Sequence, residues 1–341
     1  MTIHPQTSLT LAILSLAVQF AWPQAPRSND VTHDPVTAVR LDGSSVAGTL
    51  LEVTDEALRL GGSDERGSLD LKRSELLSLE FPAGDAKPAS QPILEFANGD
   101  RLYAEIGATD GDSLDVRRNE DALAVPIEAM RGITFQSLNP DDGTGALLFR
   151  DEGADDLVLL TNGDRLAGQF VGLSESDLTI DTEGREVLVP RARISAIAFS
   201  PELTNAPTID GPHQIVHDVS GWLTVQGLKQ TDDGSWSGTT AFGAPASWAR
   251  DGVRRVQFLE GRVVPLSSLT PANVELTPYL DRVWPIRSNR AVTGEPLTAV
   301  GVTFATGIGV HSRCRLSYDL GGAYEAFHVV GGLADSAGEV G

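Results

Sequence analysis

With a single cysteine, Cys314, the chain can build neither an intrachain disulfide framework nor a cysteine-based zinc site. Positive charge is also scarce: 26 lysines and arginines face 47 aspartates and glutamates, a net charge of −21. A field of that sign repels phosphate backbones and anionic lipid, so nucleic acid is excluded as a partner and a membrane is reached only through an uncleaved leader. The apolar run LTLAILSLAVQFA at 9–21 is too short to span a bilayer and has the length of a secretory signal core. It lacks a basic leader, because the first lysine or arginine is Arg27, but Ala21 and Ala25 offer small residues for cleavage. Residues 1–25 are read as a signal peptide, and the protein as secreted, periplasmic or held at the cell surface. A disulfide-free chain is compatible with export, which permits disulfides without requiring them.

Catalytic signatures are missing too. The chain has no HExxH spacing and no nucleophile elbow, and its surroundings distinguish no pair of carboxylates for glycoside hydrolysis. His213 and His217 are four apart, but Pro212 and a position that reads as a connection argue against a helical metal site. The expectation is a non-enzyme without a cofactor.

What is present is β-forming. Thirty-five glycines and 19 prolines punctuate short runs of Val, Ile, Leu and Thr, the pattern of an all-β chain of several domains. The middle of the sequence repeats. Ile93-Leu94-Glu95-Phe96-Ala97-Asn98-Gly99-Asp100-Arg101-Leu102 matches Leu157-Val158-Leu159-Leu160-Thr161-Asn162-Gly163-Asp164-Arg165-Leu166, and each Asn-Gly precedes a phenylalanine, Phe135 or Phe199, by the same interval. An earlier copy opens at Val39-Arg40-Leu41-Asp42-Gly43 and closes at Phe81; a fourth, without Asn-Gly, runs from Trp222 to Phe258. Asn-Gly between alternating runs predicts a hairpin. Leu76, Met130, Ile194 and Val253 each lie three residues before a second apolar residue, which lies two before the phenylalanine; that spacing predicts one helical turn feeding a strand. Four copies follow, at 36–82, 93–136, 157–200 and 220–262, each similar in pattern to SH3-like or Sm-like small barrels. Such barrels bury little surface alone, so packing between neighbours is expected. The Asp and Arg beside each Asn-Gly are expected to be solvated.

From Val263 onward an ordered series of motifs appears: Leu266-Ser267-Ser268-Leu269, Trp284-Pro285 followed by Arg287 and Arg290, a Pro296-Leu297 strand, Gly307-Ile308-Gly309-Val310-His311-Ser312, and Tyr318-Asp319-Leu320-Gly321-Gly322. This series resembles the NPCBM family, carbohydrate-binding modules associated with glycoside hydrolase family 98. The resemblance covers 263–341. It implies a galactose-binding-type jelly-roll β-sandwich with a glycan or polysaccharide as partner. It also implies a module that breaks off before its closing strands, so that the chain reads as a fragment. The family's Gly-x-Asp-Asp stands here as Gly332-Leu333-Ala334-Asp335, one acid short; a structural calcium ion is compatible with such a loop but not indicated. Sugars present apolar faces rimmed by hydroxyls, so Trp284 is the expected platform, with Arg290, His311 and Arg313 as directional hydrogen-bonding groups. Tyr318 and Phe327 are expected in the core. The functional expectation is a secreted, non-catalytic carbohydrate-binding protein with the repeats as scaffold. The alternatives are a cell-surface structural or protein-interaction protein with an envelope partner, and the N-terminal part of a longer glycoside hydrolase.

Overall fold

A computed structural model describes residues 8–10, 35–62, 67–82, 92–118, 121–136, 147–148, 150, 152–231, 233–278, 284–299 and 302–335. Regular structure among them is strand with single 3-10 turns, so the protein is all-β. The chain divides into two compact units, Val31–Val263 and Val264–Gly341 together with Met1–Asp30.

The larger unit contains the repeats as four modules of one design. In the first, Pro35–Arg40 pairs with Ser45–Val53 on one side and Leu76–Glu80 on the other, while Ala57–Gly61 and Ser68–Lys72 extend the sheet. The second, third and fourth modules repeat this layout, with Ile93–Phe96, Asp156–Leu160 and His213–Asp218 as their central first strands. The Asn-Gly turns form as the sequence predicts: Gly99 and Gly163 adopt φ of 96° and 88°, a region open to glycine at no steric cost.

Two expectations are corrected. The three-residue step before the closing phenylalanine is not a helical turn. The 3-10 turns Arg73–Glu75, Ile127–Ala129 and Arg191–Arg193 come earlier, and the step itself is a β-bulge at the same place in all four modules. Leu77, Arg131, Ser195 and Arg254 are the extra residues, so Leu76 and Leu79, and their equivalents, point inward from one strand despite an odd spacing. The fourth module also begins earlier than its sequence pattern at 220, because His213–Asp218 is a full strand of its ladder. Its turn through Val219 and Ser220 carries no Asn-Gly to announce a hairpin.

The modules join through equivalent strands. The closing strands of modules two and three pair antiparallel about Ile133 and Ile197; those of modules one and four pair about Leu79 and Val256, the same positions of the repeat. Modules two and four meet through their second strands, with Arg101 opposite Trp222. One arginine caps each closing-strand junction. Arg73 donates to Leu228 O at 3.0 Å and pairs with Glu260 at 2.9 Å, its guanidinium 5.5 Å from the Phe258 ring centre. Arg191 donates to Ile106 O and, at 3.3 Å, to Gly107 O, and lies 5.3 Å from the Phe135 ring centre. Apart from a smaller cluster of Leu148, Leu159, Ala196 and Ala198, one large hydrophobic core runs through all four modules, including Leu58, Leu79, Phe96, Ile133, Ile197, Val256 and Phe258. Each such side chain contributes roughly 1.5–3 kcal/mol on burial.

The two matched turns have different fates. Asp164 is exposed, as expected of a hairpin tip. Asp100 is buried: its carboxylate accepts from Thr224 N at 2.8 Å and Thr224 Oγ1 at 2.7 Å, while Trp222 Nε1 donates to Gly99 O at 2.9 Å. Burial pushes the Asp100 carboxyl up, against those hydrogen bonds.

His217, expected in a connection, lies inside the fourth module with Nε2 3.0 Å from Gln257 Oε1 and its ring 5.8 Å from that of Trp222. Burial pushes its pKa down to about 4 from an ordinary 6.5. Between those values the unfolded chain binds a proton that the folded chain refuses, so stability is present above pH 6.5 and is lost as the pH falls toward 4. The expected loss is about 3 kcal/mol at most, levelling below pH 4. The buried Asp100 and Asp218 carboxyls are raised and act with the opposite sign. Comparison with His217→Gln isolates the histidine: urea midpoints of the variant should lack this loss between pH 6.5 and 4. A parallel pH dependence in both proteins would refute the assignment.

In the smaller unit Cys314–Asp319 is the central strand, flanked by Asn273–Leu276 and by Ser8–Thr10. Arg287–Ser288 pairs with Ile308–Gly309, and Leu297–Ala299 with Val302–Phe304. Positions 1–7 and 11–25 of the expected leader lie outside the described residues. Tyr318 is buried as expected, but Phe327 is 39% exposed. Among the described residues, 320–335 join no strand pair, and Tyr324, Phe327, Val329, Val330 and Leu333 are exposed.

Candidate functional site

The short ladder between Arg287–Ser288 and Ile308–Gly309 builds the site. Gly309 lets the two backbones close together: a Cβ placed there would stand 2.0 Å from Arg290 O. Asn289 locks the adjacent corner from a left-handed φ of 59°, donating its N–H to Gly307 O at 2.8 Å and accepting Gly307 N–H on Oδ1 at 3.1 Å. Asparagine tolerates that backbone better than most residues. This clamp sets the segment carrying Trp284 beside the one carrying His311.

The two rings are parallel within 7°, with centroids 6.3 Å apart, and both are half-buried. An offset parallel pair presents flat π-faces of one orientation, the surface that the C–H face of a pyranose needs. The His311 Nδ1 lies 3.0 Å from Ser312 O and 3.3 Å from Ser312 Oγ, so its ring is fixed by its own neighbour. Among the described residues its hydrogen bonds go to Ser312 and to no backbone group from elsewhere.

The arginines separate. Arg290 is buried beneath the corner, with its carbonyl against Gly309. Arg313 is exposed, two residues beyond His311, at a left-handed φ of 60°, and its carbonyl accepts Thr277 N–H at 3.1 Å. Trp284 and His311 thus form a half-buried pair, Arg313 is exposed two residues further along the chain, and Arg290 is buried. Asn289 is marked in the sequence only as the residue before Arg290, whereas Gly309 belongs to the Gly307-Ile308-Gly309 motif. The Asn289-Arg290 step and the Gly-x-Gly spacing at 307–309 are the signals that mark them. Cys314 is partly buried, and burial pushes its thiol up, which disfavours the nucleophilic thiolate. Among the described residues no group of histidine, cysteine or acidic side chains has the geometry of a metal site.

Residues 262–341 match the family described as the NPCBM/NEW2 domain. The match covers the C-terminal part of the chain that holds Trp284, Arg290, His311 and Arg313. A search of curated proteins finds no matching relative.

Proposed function

We propose that the protein is a secreted, non-catalytic carbohydrate-binding protein, in which the C-terminal unit holds a glycan and the four modules serve as scaffold. The parallel Trp284–His311 pair within a segment that matches a carbohydrate-binding family carries this reading. Trp284 stacks on the sugar's apolar face, His311 offers its outer ring nitrogen to a hydroxyl, and Arg313 provides a forked donor. The apolar run at 9–21 supports export.

The test is retention of the full chain on a panel of immobilised polysaccharides. Trp284→Ala should weaken binding to the retained polysaccharide about thirty-fold, the scale of losing a central aromatic anchor of about 2 kcal/mol. Absence of retention on every polysaccharide by a folded protein would refute the proposal. A protein-interaction role is favoured by one observation: Arg185–Pro190, an edge strand of the third module, exposes Val187 and Leu188. Co-purification with an envelope protein, insensitive to competing sugar, would support that second reading.

A further inference from the structure

Resting on the sugar-binding reading above, we infer that the ligand is an anionic sugar, one whose pyranose bears a carboxylate or a sulfate ester. Three observations converge on this. The first is charge. Between Trp284 and Arg315, the segment that contains every candidate site residue, the sequence has Arg287, Arg290, Arg313 and Arg315 against the single acid Glu295, in a chain whose net charge is −21. A positive segment in so acidic a protein is a local feature, and acids more than about 8 Å away are largely screened at physiological salt.

The second is how those arginines are used. Arg315 is neutralised by Glu275 at 3.2 Å. Arg287 donates Nε to Val292 O at 3.2 Å, and Arg290 is buried. Arg313 differs: its guanidinium is exposed, and among the described residues it takes part in no ion pair or side-chain hydrogen bond. A planar fork of donors carried two residues beyond the stacked His311 suits a ligand with an apolar ring face and a carboxylate or sulfate at its edge, which two parallel N–H···O bonds would hold.

The third is backbone. Arg313 sits at φ 60°, where a residue with a Cβ costs about 1–2 kcal/mol that glycine would not. The corner therefore retains an arginine where the backbone alone favours glycine. Strain of this kind is typical of ligand-contacting positions.

The same conformation supplies a clean variant. Arg313→Gly removes the guanidinium and relieves the backbone, so the fold is preserved or stabilised. Binding of the full chain would be measured by isothermal titration against a polyuronate, a sulfated galactan and an uncharged galactan, at low and high salt. The expected result is tighter binding of one charged polymer than of the neutral one, weakened by salt. Arg313→Gly should reduce that binding about tenfold or more, a larger loss than the same variant shows with the neutral polymer. Arg313→Lys, which keeps the charge without the fork, should fall between. The polymer that responds distinguishes carboxylate from sulfate. Equal binding of charged and neutral polymers, unaltered in Arg313→Gly, would overturn the inference and leave sugar binding standing; binding to none would overturn both.

Discussion

Replacing Arg118 by alanine should cost the repeat unit about 3–5 kcal/mol, the scale for removing one partner of a buried ion pair. For a unit of this size that lowers the thermal midpoint by about 10 °C. Arg118 is 1% exposed, and it is one of the points where the second module meets the fourth. Its guanidinium pairs with Asp218 at 2.5 Å and Asp121 at 2.8 Å, donates to Ser247 O, and lies 4.7 Å from the Trp248 ring centre. Asp121 in turn accepts from Ser247 N at 2.9 Å and Oγ at 2.6 Å. Truncation leaves the Asp218 carboxylate buried without its cation, and burial already pushes that carboxyl up. The cost is thus mostly that of an uncompensated charge. The double variant Arg118→Met with Asp218→Asn removes that charge, keeps an acceptor for Ser220 N, and should regain more than half of the loss. A loss below about 1 kcal/mol in Arg118→Ala, measured by urea unfolding, would show that the cluster does not hold the two modules together.

The sequence foretold the modules better than their assembly. Asn98-Gly99 and Asn162-Gly163 announce their hairpins because the left-handed position that closes each turn, held here by Gly99 and Gly163, is one glycine enters at no steric cost, and equal spacing to Phe135 and Phe199 exposes the repeat. The bulge residues Leu77, Arg131, Ser195 and Arg254 were legible only as a spacing of three, which a helix and a bulged strand share. Burial of Asp100, beside the exposed Asp164 of an identical turn, was not legible at all. It depends on which module lies opposite, and the four residues of the motif are the same in both. Arg118 hides for a similar reason: in sequence it is one of three charges in Asp115-Val116-Arg117-Arg118, and only the tertiary contact separates it from its neighbour. In the C-terminal unit the motif order singled out Trp284 and His311, which prove to be stacked, while Phe327 alternated like a core residue and is exposed. Alternation records what a strand would bury, and burial needs a facing layer.

Gly309→Ala should both unfold the site and abolish sugar retention. The added methyl carbon would stand 2.0 Å from Arg290 O and 2.9 Å from Ala291 Cα, and both obstacles are backbone, which cannot rotate aside. Relief requires separating Arg287–Ser288 from Ile308–Gly309, the ladder that brings Trp284 to His311. Overpacking of this kind costs about 3 kcal/mol, at the upper end of the usual range. The larger effect is geometric: once the ladder opens, the two rings no longer share an orientation, and the stacking surface disappears with them. Near-ultraviolet circular dichroism of the full chain should lose the Trp284 contribution, and retention on the polysaccharide bound by wild type should fall below detection. Ala305, already buried and already carrying a methyl, supplies a control: Ala305→Gly removes a methyl from the same unit without touching the ladder and should leave retention intact. If Gly309→Ala binds as wild type does, the close approach of the two strands is not what assembles the site, and Trp284 must be held by other contacts.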